Sequence, residues 1–263
     1  MLAPVSLPRL SWGSPDADRR ALLVHGLGSN GALMWRYGVA LAEAGWRADA
    51  VDLRGHGTAP RALDYRLAAY SADLVVTRPE PAVGDGSGAW DLVIGHSLGG
   101  AASVIATAED PSWTRRLILI DPAIALTDRD RDIVRDSQTR SFADPSEAAV
   151  RTEHPHWHPQ DVELKSLSAR QASRWAVEQT SSQNPEWDVR ATALRIDVPT
   201  HVIASDPAVY SIFRGKPAED VVARNPRFSM SVVEGAGHSP HRDRPEETID
   251  AVRTAIAQLA PVS

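Results

Sequence analysis

The chain has no cysteine among its 263 residues. That removes disulfides, thiolate metal sites and a cysteine nucleophile together, and leaves the compartment open, because a protein without thiols is indifferent to redox state. Basic charge is also short: 28 Lys and Arg stand against 34 Asp and Glu, a formal net charge of −6. Binding nucleic acid requires a basic face, so no such partner is expected, and the acidic balance reads as solubility. No window approaches the roughly 18 apolar residues of a membrane span, and the N-terminus lacks a basic segment running into a long apolar one. Repeats and low-complexity tracts are missing too. The expectation is a cytoplasmic monomer or homodimer that acts on a small molecule, away from membranes.

What is present is 43% hydrophobic and 24% charged, an ordinary globular mixture at a length that suits one sizeable core. Apolar runs at 20–26, 46–52, 91–95, 116–122, 198–205 and 228–233 read as buried strands. Between them, stretches near 33–44, 65–77, 98–109 and 245–259 have helical spacing. A loop rich in Pro, Gly and Asp is expected over 79–88. This alternation predicts an α/β chain with a mostly parallel sheet and helices on both faces. From 123 to 197 the strand signal stops and Trp157, Trp175 and Trp187 appear. A stretch that long between two strands must pack as helices of its own. It is expected to form a helical cap on a core domain made of 1–122 and 198–263.

Gly95-His96-Ser97-Leu98-Gly99-Gly100 follows an expected strand and opens an expected helix. In that context the Gly-x-Ser-x-Gly spacing makes a tight turn that lifts the Ser97 hydroxyl clear of the sheet as a nucleophile. Small neighbours are required because larger side chains would collide with strand and helix. A tetrahedral intermediate needs amide donors for its oxyanion; the candidates are the N–H of Leu98, and that of Leu27 in His25-Gly26-Leu27-Gly28-Ser29. Gly235-Ala236-Gly237-His238 lies between the last strand and the last helix. A histidine there can take the Ser97 proton as base. His241 is its local competitor, and His96 is expected to pack beside the sheet.

These motifs, with Asp52-Leu53-Arg54-Gly55-His56-Gly57, resemble the α/β-hydrolase family over 22–121 and 198–258. The resemblance implies eight strands, a cap inserted after the sixth, and neither metal nor organic cofactor. Two carboxylates compete to orient His238. Asp206 follows the seventh strand, where the family commonly keeps this acid, but it sits early on its loop in Ala204-Ser205-Asp206-Pro207. Asp121, in Leu119-Ile120-Asp121-Pro122, resembles the branch whose acid follows the sixth strand, haloalkane dehalogenases among them. Asp121 is the favoured reading and Asp206 the alternative. Those dehalogenases attack with Asp where this chain has Ser97, so acyl chemistry is expected instead.

The expected activity is hydrolysis of an ester or lactone of a small, largely apolar substrate through an acyl-Ser97 intermediate. Two alternatives stay open: cleavage of a carbon–carbon bond in a β-diketone or dienoate, and a silent ligand receptor on the same fold. Trp35, Trp157 and Trp175 are candidate substrate-binding walls, while Arg54 and His56 are expected to shape their loop.

Overall fold

Residues along the central strands alternate between two apolar cores. Leu22 and Val24, Val93, and Leu117 and Leu119 face one; Ala21 and Leu23, Leu92 and Ile94, and Ile118 and Ile120 face the other. That period of two places one sheet between the two cores. In the computed structural model, which describes residues 3–80 and 88–259, the chain begins with β1 (Arg9–Trp12), β2 (Arg19–Val24), α1 (Trp35–Glu43) and β3 (Trp46–Val51). Next come α2 (Leu67–Val76), β4 (Leu92–His96), α3 (Leu98–Glu109) and β5 (Leu117–Ile120). The helices α4 (Asp128–Ala143), α5 (Glu147–Glu153), α6 (Pro159–Gln171), α7 (Arg174–Ser182) and α8 (Arg190–Ala193) follow. The chain closes with β6 (Thr200–Ser205), α9 (Gly215–Arg224), β7 (Phe228–Val233), α10 (Pro240–Asp243) and α11 (Pro245–Gln258). Residues 81–87 of the expected loop lie outside the described residues.

The strands run in the order β1-β3-β2-β4-β5-β6-β7. All neighbours are parallel except β1, which pairs antiparallel with β3. Tyr37 and Leu41 of α1 and Val252 and Ala255 of α11 fill one core; α2 and α3 cover the other with Leu67, Tyr70, Leu74 and Leu98. Each such large side chain, taken out of water, contributes about 1.5–3 kcal/mol.

The described residues hold seven strands where eight were expected, and the helical insertion therefore follows the fifth strand, not the sixth. Pro4 and Pro8 have no N–H to give a ladder, and the Val5 N–H between them donates to Asp73 Oδ1 at 2.7 Å instead of to a strand.

The insertion is helical, as its length required. Its own apolar cluster is small, Val150, Trp157 and Val162, while Ala176, Trp187, Val189 and Ala193 pack into the main core. Polar ties add to this: Trp187 Nε1 donates to Ala123 O at 2.6 Å, and Asp161 accepts from Trp35 Nε1 at 2.8 Å and from Arg36 at 2.9 Å. Among the described residues no helix is long and apolar enough to cross a membrane.

Candidate active site

Two non-glycine residues of the described chain have a positive φ: Ser97 at 53° and Asp121 at 36°. L-residues enter that region at a cost of order 1–3 kcal/mol, and such strain gathers where geometry serves function. Ser97 sits between β4 and α3, and the turn closes only because its neighbours are bare. A Cβ on Gly95 would stand 2.8 Å from Gly99 O, one on Gly100 2.7 Å from Pro122 Cβ, and one on Gly99 inside the carbonyls of Val24 and His25. The adjoining strand clamps the turn: Ser97 N–H donates to Ile120 O at 3.1 Å, and Ser97 O accepts from Ala123 N–H at 3.1 Å.

Asp121, with its positive φ, directly follows β5, which stops at Ile120 although the apolar run carried the expected strand to 122. The segment after β6 wraps it. Its carboxylate accepts the Ile212 N–H at 3.0 Å, the Phe213 N–H at 3.2 Å and the Ser211 hydroxyl. Burial works to raise this carboxyl, but the hydrogen bonds from His238, Ser211 and Ile212 outweigh it and hold its pKa below the ordinary value.

His238 stands on the loop after β7. Its Nε2 lies 2.9 Å from Ser97 Oγ and its Nδ1 2.6 Å from Asp121 Oδ2. An ionised carboxylate only accepts, so Nδ1 carries the proton and Nε2 is left to accept from the hydroxyl. The loop is held from three sides. Asp206 Oδ2 accepts the Gly235 N–H at 2.8 Å, Asp243 Oδ2 accepts the Gly237 N–H at 2.9 Å, and His96 Nε2 donates to His238 O at 2.8 Å. Asp206 thus shapes the loop while Asp121 meets the ring.

His96 does more than pack, since it grips the backbone of the histidine that faces the hydroxyl. Burial keeps it neutral, well below its ordinary pKa, with the charges of His238 and Arg242 acting the same way. His241 is fully buried against His96 and Tyr37, away from Ser97 Oγ. Leu27 borders the same cavity as Ser97. A Cβ on Gly26 beside it would lie 3.0 Å from Ser97 Cβ, so that loop packs directly against the serine side chain. The Leu98 N–H is the first of α3, one of those a helix leaves unpaired. Arg54 and His56 are buried in their loop as expected, Arg54 on both oxygens of Asp73 and His56 on Arg54 O.

A cavity of about 780 Å³ lies over Ser97 and His238 between the sheet edge and the insertion. Of the three expected wall residues only Trp157 borders it, with its Nε1 donating to Asp243 Oδ1 at 2.7 Å. Trp35 is turned away onto Asp161 and Arg36. Trp175 is 44% exposed, with its ring edge-on to Tyr65. Both are corrections: an indole serves a pocket only if its helix face points there, and a tryptophan count carries no facing.

The sequence reading missed Lys165, Gln138 and Arg242, which also border the cavity. Lys165 Nζ donates to Gly28 O at 3.1 Å, and burial, then the nearby Arg242 charge, lowers its pKa to about 8. Nothing in their spacing marks these residues: Gln138 and Lys165 lie in the insertion, which follows no motif, and Arg242 lies on the short helix after His238.

The sequence model of the alpha/beta hydrolase family matches residues 21–251. Lipase LipV of Mycobacterium tuberculosis is 33% identical over 146 residues, 54% of this chain and 53% of that protein. A pimeloyl-[acyl-carrier protein] methyl ester esterase of Neisseria meningitidis is 32% identical over 113 residues, 43% of this chain and 40% of that one. The chain thus spans about half the length, or less, of these two curated relatives. A longer match, 27% identical over 250 residues and covering 89% of this chain and 87% of the relative, is 2-(acetamidomethylene)succinate hydrolase of Mesorhizobium japonicum. Among solved structures, an E-2-(acetamidomethylene)succinate hydrolase superposes with a TM-score of 0.76 at 21% identity over 95% of each chain. An esterase from Exiguobacterium antarcticum superposes with a TM-score of 0.74 at 18% identity, over 98% of this chain and all of that one. At such identities these likenesses concern the fold alone.

Proposed function

The chain belongs to the alpha/beta hydrolase family, and within it we propose a serine hydrolase that cleaves a small carboxylic ester or lactone, with Ser97, His238 and Asp121 as its triad. The supporting observation is the pair of contacts from one imidazole, 2.9 Å to Ser97 Oγ and 2.6 Å to Asp121 Oδ2. They supply in one geometry a hydroxyl, a base for its proton and an anion for the imidazolium that results.

Ser97 Oγ attacks the acyl carbon while its proton passes to His238 Nε2. The carbonyl oxygen takes up the electron pair and faces the amides of Leu27 and Leu98. The intermediate collapses, the bond to the leaving alkoxide breaks, and His238 returns the proton to it. Water repeats the sequence: its proton goes to His238, its oxygen bonds to the acyl carbon, and Ser97 leaves with the proton restored. A carboxylic acid and an alcohol result, or a hydroxy acid from a lactone. Relatives named as a lipase and as a methyl ester esterase agree with this class.

A fluorophosphonate probe tests the reading, since it phosphonylates an activated serine and no other. Label on Ser97, with a burst of p-nitrophenol from a p-nitrophenyl ester that vanishes in Ser97→Ala, is the expected result. An unlabelled Ser97 would leave a ligand receptor on a hydrolase fold as the better account.

A further inference from the structure

Several cations around the insertion are paired with carboxylates. Arg36 meets Asp161 at 2.9 Å, Arg140 meets Glu153 at 3.0 Å and Arg214 meets Asp130 at 2.8 Å. Arg54, deep in the core, meets Asp73 at 2.6 Å. Lys165 and Arg242 have no such partner. Among the described residues neither forms an ion pair; Lys165 has the Gly28 carbonyl, and Arg242 a distant Ser239 hydroxyl at 3.4 Å and the Trp157 ring, whose centroid is 5.0 Å from its guanidinium carbon. Arg242 is only 6% exposed, and its buried Nε has no partner. Both border the cavity over Ser97.

A charge removed from water costs several kcal/mol unless an opposite charge or hydrogen bonds compensate it. Asp243 is beside Arg242, but its oxygens are already taken by Trp157 Nε1 at 2.7 Å and Gly237 N–H at 2.9 Å. Asp161 is spent on Arg36 and Trp35. Arg244 borders the cavity too, so three cations stand against the single carboxylate of Asp243, and the pocket wall carries positive charge in excess. An anion that enters through the cavity would supply the missing partner.

We propose that the substrate carries a free carboxylate, held between Lys165 of α6 and Arg242 of α10, in addition to the ester group presented to Ser97. The proposal deepens the hydrolase reading and rests on it for the identity of the cavity as the acyl site. It replaces the largely apolar substrate expected from sequence with a half-ester of a dicarboxylic acid or a molecule of like charge. Because Lys165 belongs to the insertion and Arg242 to the segment after His238, a carboxylate between them also ties the insertion to the sheet edge when substrate is bound.

The test is made in the Ser97→Ala chain, where binding is separated from turnover. Calorimetry compares the monoethyl esters of succinic, glutaric and adipic acids with the ethyl esters of butanoic, pentanoic and hexanoic acids. At least one charged ester should bind about tenfold or more tightly than its uncharged counterpart. Lys165→Met should remove most of that ratio, and Lys165→Arg should keep it. Since Lys165 is only partly buried, the methionine variant is expected to fold, and its melting temperature verifies this. Equal binding within each pair, no binding of any charged ester, or a ratio that survives Lys165→Met overturns the proposal. Turnover by the unaltered chain judges the other reading separately. Charged esters bound with the advantage but never hydrolysed would sink the hydrolase and keep the anion site. Hydrolysis of both kinds through Ser97 without distinction would do the reverse.

Discussion

Asp206 holds Gly235 and not His238: its Oδ2 accepts the Gly235 N–H at 2.8 Å, while the His238 ring turns to Asp121 at 2.6 Å. Two acids at the ends of adjacent strands β5 and β6 therefore have different tasks, one on the ring and one on the backbone that carries it. Asp121→Asn should cost ester hydrolysis about 10³–10⁴-fold in kcat, since the amide no longer enforces the tautomer or faces the imidazolium with a charge. Asp206→Asn should stay within about tenfold of the unaltered chain, because only the loop's hydrogen bonds are weakened. Steady-state kinetics of the two variants on one p-nitrophenyl ester make the comparison, and the reverse ranking would transfer the triad role to Asp206.

Gly99→Ala tests the turn. Its new methyl would meet the carbonyls of Val24 and His25, which are backbone and cannot swing aside. The change should cost about 1–3 kcal/mol of stability, typical of overpacking, and should lower fluorophosphonate labelling of Ser97 in whatever fraction folds. Urea unfolding gives the first quantity and a labelling time course the second. Full stability with full labelling would contradict the close packing of turn and strand.

The tryptophans separate by facing. Trp175→Ala should leave kcat and KM within about twofold, as expected for a surface position outside the cavity. Trp157→Ala removes a pocket wall and frees one oxygen of Asp243, so KM should rise about tenfold or more. Kinetics on one substrate with both variants is enough. A larger effect from Trp175 would mean that the insertion adopts another arrangement during turnover.

Lys165 titrates well below an ordinary lysine. Burial lowers its pKa to about 8, with Arg242 of α10 pushing down and Glu153 of α5 pulling up. The side chain is a cation below that value, so preference for a charged ester should hold up to about pH 7 and fade between about 7 and 9. A bound carboxylate would shift the fade upward. In Lys165→Arg the preference should stay flat through that window, because guanidinium keeps its charge. Affinity ratios measured in the Ser97→Ala chain from pH 6 to 10 carry the test; a fade of equal size in Lys165→Arg would assign it to another group.

Arg54 offers a test apart from the active site. Its guanidinium is buried on both oxygens of Asp73, so Arg54→Met should cost about 3–5 kcal/mol by leaving an uncompensated carboxylate. The double variant Arg54→Met with Asp73→Leu should recover much of this in urea unfolding. A single variant as stable as the unaltered chain would mean the pair contributes nothing.

The strands, the turn at Ser97 and the loop of His238 were legible because each depends on local rules. Alternation or a solid apolar run marks a buried strand, glycines mark turns that no side chain fits, and chain order places the histidine last. Strand β1 escaped notice because four residues at a sheet edge, two exposed and two half-buried, carry little pattern. The eighth strand came from likeness and not from residues. The choice between Asp121 and Asp206 turned on a backbone angle of 36° and on where two strands end side by side. Spacing along the chain does not contain either quantity.

Sequence alone determined the alternation that makes an α/β sheet, and the small residues that allow a hydroxyl to be raised from it. Only the tertiary structure decided which acid meets His238, which tryptophan borders the cavity, and that Lys165 and Arg242 stand there without a counter-charge. The division has one cause. Local conformation follows from neighbouring residues, whereas the pairing of charges and the facing of side chains depend on groups brought together from distant parts of the chain, and on the water that leaves when they meet.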